Sequence, residues 1–97
     1  MKRTIILAAV ISLSTAFSAY AQSGLASYYG GRGGGMTCAH RTAAMGTVLT
    51  VSHGGRSIQC RVNDRGPFVR GRIVDLSITA ARALGMMGAG VVPVSLH

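Results

Sequence analysis

The pattern of hydrophobic and polar residues predicts short β-strands separated by turns. Apolar and polar residues alternate, or apolar residues cluster, in five runs bounded by glycine: 24–30, 48–52, 57–62, 72–74 and 91–96. The second and third runs flank His53-Gly54-Gly55-Arg56, whose paired glycines favour a hairpin turn. In the third run Ile58, Cys60 and Val62 share one face, so Cys60 is expected to point into the core.

One helix is predicted after the fourth strand. Ser77 is a suitable N-cap, residues 78–84 contain good helix formers, and Gly85 is a natural stop. Segment 36–46 permits a second short helical turn ending at Gly46, and Pro93 places the last strand at an edge or beside a bulge. About five strands and one or two short helices, with glycine at most corners, favour a mainly β fold of the small-barrel type.

Residues 1–21 have the features of a secretory signal peptide. Lys2 and Arg3 precede an apolar stretch at 5–13, and Ala19-Tyr20-Ala21 is a small-x-small cleavage site. We expect a periplasmic or secreted protein with one domain at 22–97 and no stable membrane span after cleavage, the alternative being an uncleaved anchor. No cysteine directly follows the apolar stretch or the cleavage site, so a lipid anchor is not indicated.

Cys38 and Cys60 are the only two cysteines. In an oxidising compartment an even number of cysteines predicts a disulfide, and a domain of this size is expected to need such a cross-link. A metal pair and two free thiols are the alternatives. His40 lies two residues from Cys38, but two cysteines and one histidine fall short of a structural zinc set, so no metal is expected.

The charge is strongly basic, with a formal net charge of +8 for the whole chain. Without Lys2 and Arg3, eight arginines remain against two aspartates. Outside the cytoplasm this balance favours anionic envelope polymers, and the few aromatic residues offer no platform for stacking bases, so nucleic acid is not an expected partner. The glycine-rich segment 30–35 is predicted to be a mobile loop. No Gly-Lys-Ser/Thr follows it, so no phosphate site and no cofactor are expected.

Asp64 and Asp75 are the only acidic residues, and glutamate is absent. Each follows a strand-like run, where a side chain can face a groove. The positive charges of Arg61 and Arg65 are expected to keep Asp64 ionised, whereas the apolar neighbours of Asp75 are expected to raise its pKa toward that of a usable acid. The alternatives are structural: Asp64 caps a turn, and Asp75 favours the dipole of the helix after it.

Several segments resemble the rare lipoprotein A family. They are 26–30, 37–42 with Gly46-Thr47, 55–57, Arg61-Val62-Asn63-Asp64-Arg65-Gly66-Pro67-Phe68 and Gly71-Arg72-Ile73-Val74-Asp75-Leu76-Ser77. The resemblance implies a six-stranded double-psi β-barrel related to the expansins and an endolytic lytic transglycosylase acting on peptidoglycan glycan strands. It also implies that Asp64 and Asp75 are the acidic pair and that His40 matches the family's histidine.

Other positions are assigned with alternatives. His40 is expected to be either catalytic or a hydrogen-bonded loop histidine. Ser27 and Tyr29 are expected to line the substrate groove or to pack at the core or rim. Arg41 and Arg65 are expected to bind glycan or wall carboxylates, or to be solvated charges.

The chain departs from the family between Tyr29 and Thr37. Family members carry a longer insert there, with a glutamate expected to be a catalytic acid, and the glycine-rich loop takes its place here. A lytic transglycosylase that acts through Asp75 as proton donor and Asp64 as electrostatic partner is therefore the first functional hypothesis. The second is an expansin-like module that binds glycan without cutting it. A monomer is expected in either case.

Overall fold

A computed structural model describes residues 22–97, which form six β-strands and one helix. Their bounds are β1 Gln22–Tyr29, β2 Thr37–Ala39, β3 Val48–His53, β4 Arg56–Asp64, β5 Arg72–Ser77, α1 Ile78–Leu84 and β6 Val92–Leu96. No helix in this part of the chain is long and apolar enough to cross a membrane. The predicted signal peptide, residues 1–21, lies outside the described residues.

The six strands close into a barrel in the order β1-β5-β2-β4-β3-β6. β1 pairs in parallel with β5, and β2 in parallel with β4, while the other neighbours are antiparallel. The six-stranded barrel implied by the resemblance is therefore confirmed. Because closure satisfies both sides of each strand, the sheet needs no separate protection of its edges.

The hydrophobic core is formed by small and medium apolar side chains from every strand and from α1. The largest fully buried ones are Leu49, Leu76, Leu84, Met86, Leu96, Val51, Val62 and Val74. Cys38 on β2 and Cys60 on β4 lie among them and form a disulfide, with their Cα atoms 5.8 Å apart. The predicted cross-link is confirmed, and it uses the two thiols that a metal pair would have needed.

The hairpin and the helix are confirmed. Gly54 and Gly55 join β3 to β4 with φ angles of 56° and 82°, and two successive positive φ angles are what a tight two-residue hairpin turn requires. The Ser77 hydroxyl accepts a hydrogen bond from the Ala80 N–H, and α1 ends at Gly85.

The structure corrects two sequence-based expectations and decides a third. Residues 37–39 form a strand, not the start of a helical turn, because they pair with β4 on one side and β5 on the other. β5 extends from Arg72 to Ser77, so Asp75 lies inside a strand and not after its end. Pro93 lies in β6 opposite Leu25, where the pairing of β1 with β5 shifts register, so the predicted position beside a bulge is confirmed and the alternative at a sheet edge is not.

Candidate functional site

Four residues on neighbouring strands form one row across the barrel. Asp64 on β4 pairs with Ala39 on β2, Ala39 pairs with Asp75 on β5, and Asp75 pairs with Ser27 on β1. Residues paired across strands project from the same face of a sheet. The row, called the carboxylate row below, therefore places both aspartates and Ser27 on one face.

A β-bulge gives Asp64 its direction. Cys38 pairs with Val62 and the next residue, Ala39, pairs with Asp64, so Asn63 is skipped. Strict alternation would place Asp64 on the same side as the buried Val62. The extra residue turns the Asp64 side chain away from the core and onto the face that carries Asp75.

Hydrogen bonds from β1 hold both carboxylates. The Ser27 hydroxyl donates to Asp75 Oδ1, and the Tyr29 hydroxyl donates to Asp64 Oδ2 at 2.7 Å. Burial, the hydrogen bond to Asp64 and the negative charges of Asp64 and Asp75 raise the pKa of Tyr29 to about 12. Tyr29 therefore keeps its proton at neutral pH and acts as a hydrogen-bond donor beside both aspartates.

Asp64 lies in a setting that favours its ionised form. The Tyr29 hydroxyl, the Arg65 N–H at 2.8 Å and the positive charge of Arg32 lower the pKa of Asp64, although partial desolvation acts in the opposite direction. The Arg32 guanidinium is 3.7 Å from Asp64 Oδ1. Because the Arg32 side chain is 71% exposed, this ion pair contributes little to stability.

His40 follows β2 directly and organises the loop after it. Its Nδ1 accepts hydrogen bonds from the Thr42 N–H at 3.2 Å and the Ala43 N–H at 3.0 Å, and its Nε2 lies 2.8 Å from Gln22 Oε1. A ring nitrogen that accepts two N–H groups carries no proton, so Nε2 carries it and donates to Gln22. Burial and the positive charges of Arg41 and Arg65 lower the pKa of His40. These contacts favour the loop-histidine alternative.

The two arginines proposed to bind substrate make contacts with the protein backbone. Arg65 Nη1 donates to the carbonyl oxygens of His40 at 3.1 Å and Ala43 at 2.6 Å. Arg41 Nη2 lies at the surface and donates to the Arg72 carbonyl at 3.3 Å. Both therefore brace loops at the Asp64 end of the barrel, and neither forms an ion pair with an aspartate among the described residues.

Sequence reasoning missed two residues of this site. Arg32, in the glycine-rich segment, forms the ion pair with Asp64, and Asn63 forms the bulge and donates from Nδ2 to the Arg32 carbonyl. Arg32 is the only charged residue of its segment, which was an available signal. The segment is further attached by Ser77, whose hydroxyl donates to the Gly35 carbonyl at 2.8 Å.

A separate open groove of about 820 Å³ lies elsewhere on the barrel surface. It is lined by Ser23, Gly24, Leu25, Ser52, His53, Gly54, Gly55, Pro93, Val94 and Ser95. The groove contains neither aspartate. Because both carboxylates of the described chain lie in the carboxylate row, the row and not this groove is the candidate active site.

No group of three or more histidine, cysteine or carboxylate side chains within residues 22–97 is arranged to hold a metal ion. The chemistry that this part of the chain offers is carboxylate chemistry supported by hydroxyl donors.

Comparisons with known proteins bear on this arrangement. A model of the lytic transglycolase family matches residues 17–96. A probable endolytic peptidoglycan transglycosylase RlpA from Nostoc sp. is 47% identical over 92 residues, covering 76% of this chain and 24% of its own length. The endolytic peptidoglycan transglycosylase RlpA of Pasteurella multocida is 39% identical over 89 residues, covering 76% and 30%.

Both matches cover less than a third of the relative. The matches extend over 92 and 89 residues, but each covers only 76% of this 97-residue chain. Within the matched stretch each relative is therefore longer than this chain. This agrees with an insert that the chain lacks.

Two solved structures are also similar. An expansin from Clavibacter michiganensis has a TM-score of 0.65 and 28% identity, covering 77% of this chain and 48% of the expansin. A Streptomyces papain inhibitor has a TM-score of 0.58 and 25% identity, covering 77% of this chain and 94% of the inhibitor.

Proposed function

Because this chain belongs to the lytic transglycolase family, we propose that it is an endolytic lytic transglycosylase that cleaves peptidoglycan glycan strands at the carboxylate row. The activity named for its relatives belongs to proteins that are more than three times as long as the matched portion. The proposal is that residues 22–97 are the portion that carries the reaction.

The observation that carries this proposal is the register that aligns Asp64 and Asp75 on one face. β2 separates their strands, so their backbones lie two strand spacings, about 10 Å, apart. The proposal places one sugar unit between the two carboxylates, which differ in setting. Asp64 accepts two hydrogen bonds and lies near Arg32, whereas Asp75 accepts the Ser27 hydroxyl.

The proposed reaction uses Asp75 as acid and then as base. Asp75 donates its proton to the glycosidic oxygen, and the bond between that oxygen and the anomeric carbon breaks. A hydroxyl of the same sugar then attacks the anomeric carbon and returns its proton to Asp75, which leaves an anhydro end and consumes no water. Asp64 stays ionised and stabilises the positive charge that develops on the sugar.

Tyr29 and Ser27 have supporting roles in this proposal. The Tyr29 hydroxyl fixes the position of Asp64 and lowers the pKa of its carboxyl, and the Ser27 hydroxyl orients Asp75. His40 and Arg65 act through the loop after β2, which they hold next to Asp64. They are positioning residues in this proposal, and a direct catalytic step for His40 has no support from its contacts.

A second function is a glycan-binding module without cleavage. The absence of any glutamate favours it, because the family's expected acid has no counterpart. The likeness to an expansin fits it as well.

The two functions differ in product. Purified protein incubated with peptidoglycan is expected to release anhydro-muropeptides, detected by mass spectrometry. Asp75→Asn is expected to reduce their rate of formation by about 100-fold or more, and Asp64→Asn by a similar factor. Ser52→Ala, in the separate groove, is the matched control and is expected to leave the rate unchanged.

Binding to peptidoglycan without product would establish the second function. Loss of product in Asp64→Asn with full activity in Asp75→Asn would reverse the two roles. We further propose that the protein acts outside the cytoplasm as a monomer, after removal of residues 1–21. N-terminal sequencing of the secreted form and its mass in solution test these two points.

A further inference from the structure

Phe68 is the most exposed large hydrophobic residue of the described chain, with 77% of its surface accessible. The two tyrosines of residues 22–97 use their hydroxyl groups within the fold: the Tyr28 hydroxyl donates to the Met87 carbonyl, and the Tyr29 hydroxyl donates to Asp64. Phe68 has no polar group to satisfy, and the neighbouring Val69 is 54% exposed. The tip of this loop therefore presents an apolar surface that the fold does not use for its own core.

The loop that carries Phe68 is fixed on both sides. Before it, Arg65 is bound to two carbonyls of the loop after β2, and Gly66 and Pro67 are buried. After it, the Arg72 N–H donates to the Val69 carbonyl at 3.0 Å. An exposed ring on an anchored loop loses little conformational freedom when a ligand binds, which favours recognition.

One edge of the ring lies near Gly66. A Cβ added to Gly66 would lie 3.5 Å from Phe68 Cε2 and 3.6 Å from Cδ2, which is ordinary van der Waals contact, and Gly66 has a φ of 116°. A side chain at position 66 would therefore be disfavoured by its backbone conformation and not by contact with the ring. With one edge beside Gly66 and most of its surface open, the ring has a face available for a planar apolar contact.

Phe68 also lies near the carboxylate row. It follows Asp64 by four residues, a span of at most about 14 Å even for an extended chain. The loop joins the end of β4 to the start of β5, the two strands that carry Asp64 and Asp75. A glycan strand that occupies the row and continues past Asp64 toward this loop would meet the surface formed by Phe68 and Val69.

We propose that Phe68 forms a sugar-binding subsite, in which one face of a pyranose ring of the glycan strand stacks on the phenyl ring beside Asp64. The C–H groups of a sugar face carry a slight positive charge and the face of an aromatic ring a negative one, so the two attract in addition to burying apolar area. The proposal rests on the proposed function for the class of ligand, a glycan, and adds the residue that binds it outside the cleavage site.

The test measures both binding and cleavage with peptidoglycan glycan strands stripped of stem peptides. Phe68→Ala is expected to weaken binding about five- to tenfold and to raise KM with kcat unchanged, because stacking beside the site holds the ground state and the transition state alike. Phe68→Trp is expected to bind at least as well as the wild type, and Phe68→Leu to bind as weakly as the alanine variant. Val48→Ala, which alters an exposed residue of β3, is the matched control.

Salt separates stacking from arginine contacts. The difference between the wild type and Phe68→Ala is expected to persist at high salt, where contacts from exposed arginines are screened. Thermal unfolding of each variant is expected to match the wild type, since the ring is exposed.

The outcomes separate this inference from the proposed function. If Phe68→Ala or Phe68→Leu binds as the wild type does, the stacking subsite is refuted, and anhydro-product formation can still stand. If the wild type forms no anhydro product but Phe68→Ala loses glycan binding, the lytic function fails and the subsite stands. If the wild type neither binds nor cleaves these strands, both are refuted.

Discussion

The cross-link between Cys38 and Cys60 gives the prediction with the best-defined magnitude. The two residues are 22 positions apart in the sequence. Closing a loop of this length removes enough freedom from the unfolded chain to stabilise the fold by about 3 kcal/mol. A domain the size of residues 22–97 has a free energy of unfolding of about 4 to 11 kcal/mol, so the cross-link supplies a substantial fraction of it.

Reduction of the wild-type protein isolates this contribution better than substitution does, because it removes no heavy atom from the core. We expect reduction by dithiothreitol to lower the melting temperature by about 12 to 24 °C, which is the shift that about 3 kcal/mol produces in a domain of this size. The melting temperature of the double variant Cys38→Ala/Cys60→Ala is expected to be lower still than that of the reduced wild type. Both sulfur atoms lie in the core with 1% of each residue exposed, so their removal adds a packing loss.

Circular dichroism or differential scanning calorimetry at matched pH measures these shifts. The alanine double variant is the control for the reductant, since dithiothreitol should not change its melting temperature. A reduced wild-type protein that melts within about 3 °C of the oxidised form would refute the reasoning from loop closure.

Three further predictions concern the site. Tyr29→Phe removes a donor to Asp64, so the pKa of Asp64 should rise and the acid limb of the pH–activity profile should move to higher pH; an unchanged limb would contradict an ionised role for Asp64. Because the pKa of His40 is lowered in the folded protein, its contribution to the free energy of unfolding is fully present above the unfolded-state pKa of 6.5 and decreases as the pH drops below that value. Denaturant unfolding should show a weaker pH dependence in His40→Asn, which keeps an acceptor for the loop but does not titrate. Ser77→Ala should lower the free energy of unfolding by about 1 kcal/mol through loss of the helix cap, with Ser77→Thr nearer to the wild type.

Residue patterns along the chain predicted the hairpin, α1 and the inward direction of Cys60. These features depend on local signals: paired glycines, a capping serine and alternation within one strand. β2 was missed because a strand of three residues is too short to show a period, and because it is held by β4 and β5, which come later in the chain. Its pairing could not be read from Thr37, Cys38 and Ala39 alone.

The identity of the acidic pair could be predicted from the sequence, but its geometry could not. Asp64 and Asp75 come together through two pairings with Ala39, one of them parallel and shifted by the bulge. Nothing in the local sequence indicates which strands become neighbours. The hydrogen bond from Tyr29 to Asp64 and the ion pair of Arg32 with Asp64 could not be predicted for the same reason, since each joins segments that are distant in the chain.

Because Asn63 is skipped in the pairing of β2 with β4, the number of residues between Cys60 and Asp64 determines which way the Asp64 carboxylate points. Replacing Asn63 with another residue leaves the spacing intact. Deleting it would put Asp64 in register with the apolar interior, where a negative charge cannot be accommodated. One peptide unit thus decides whether this protein carries its carboxylate to the solvent side or loses its fold.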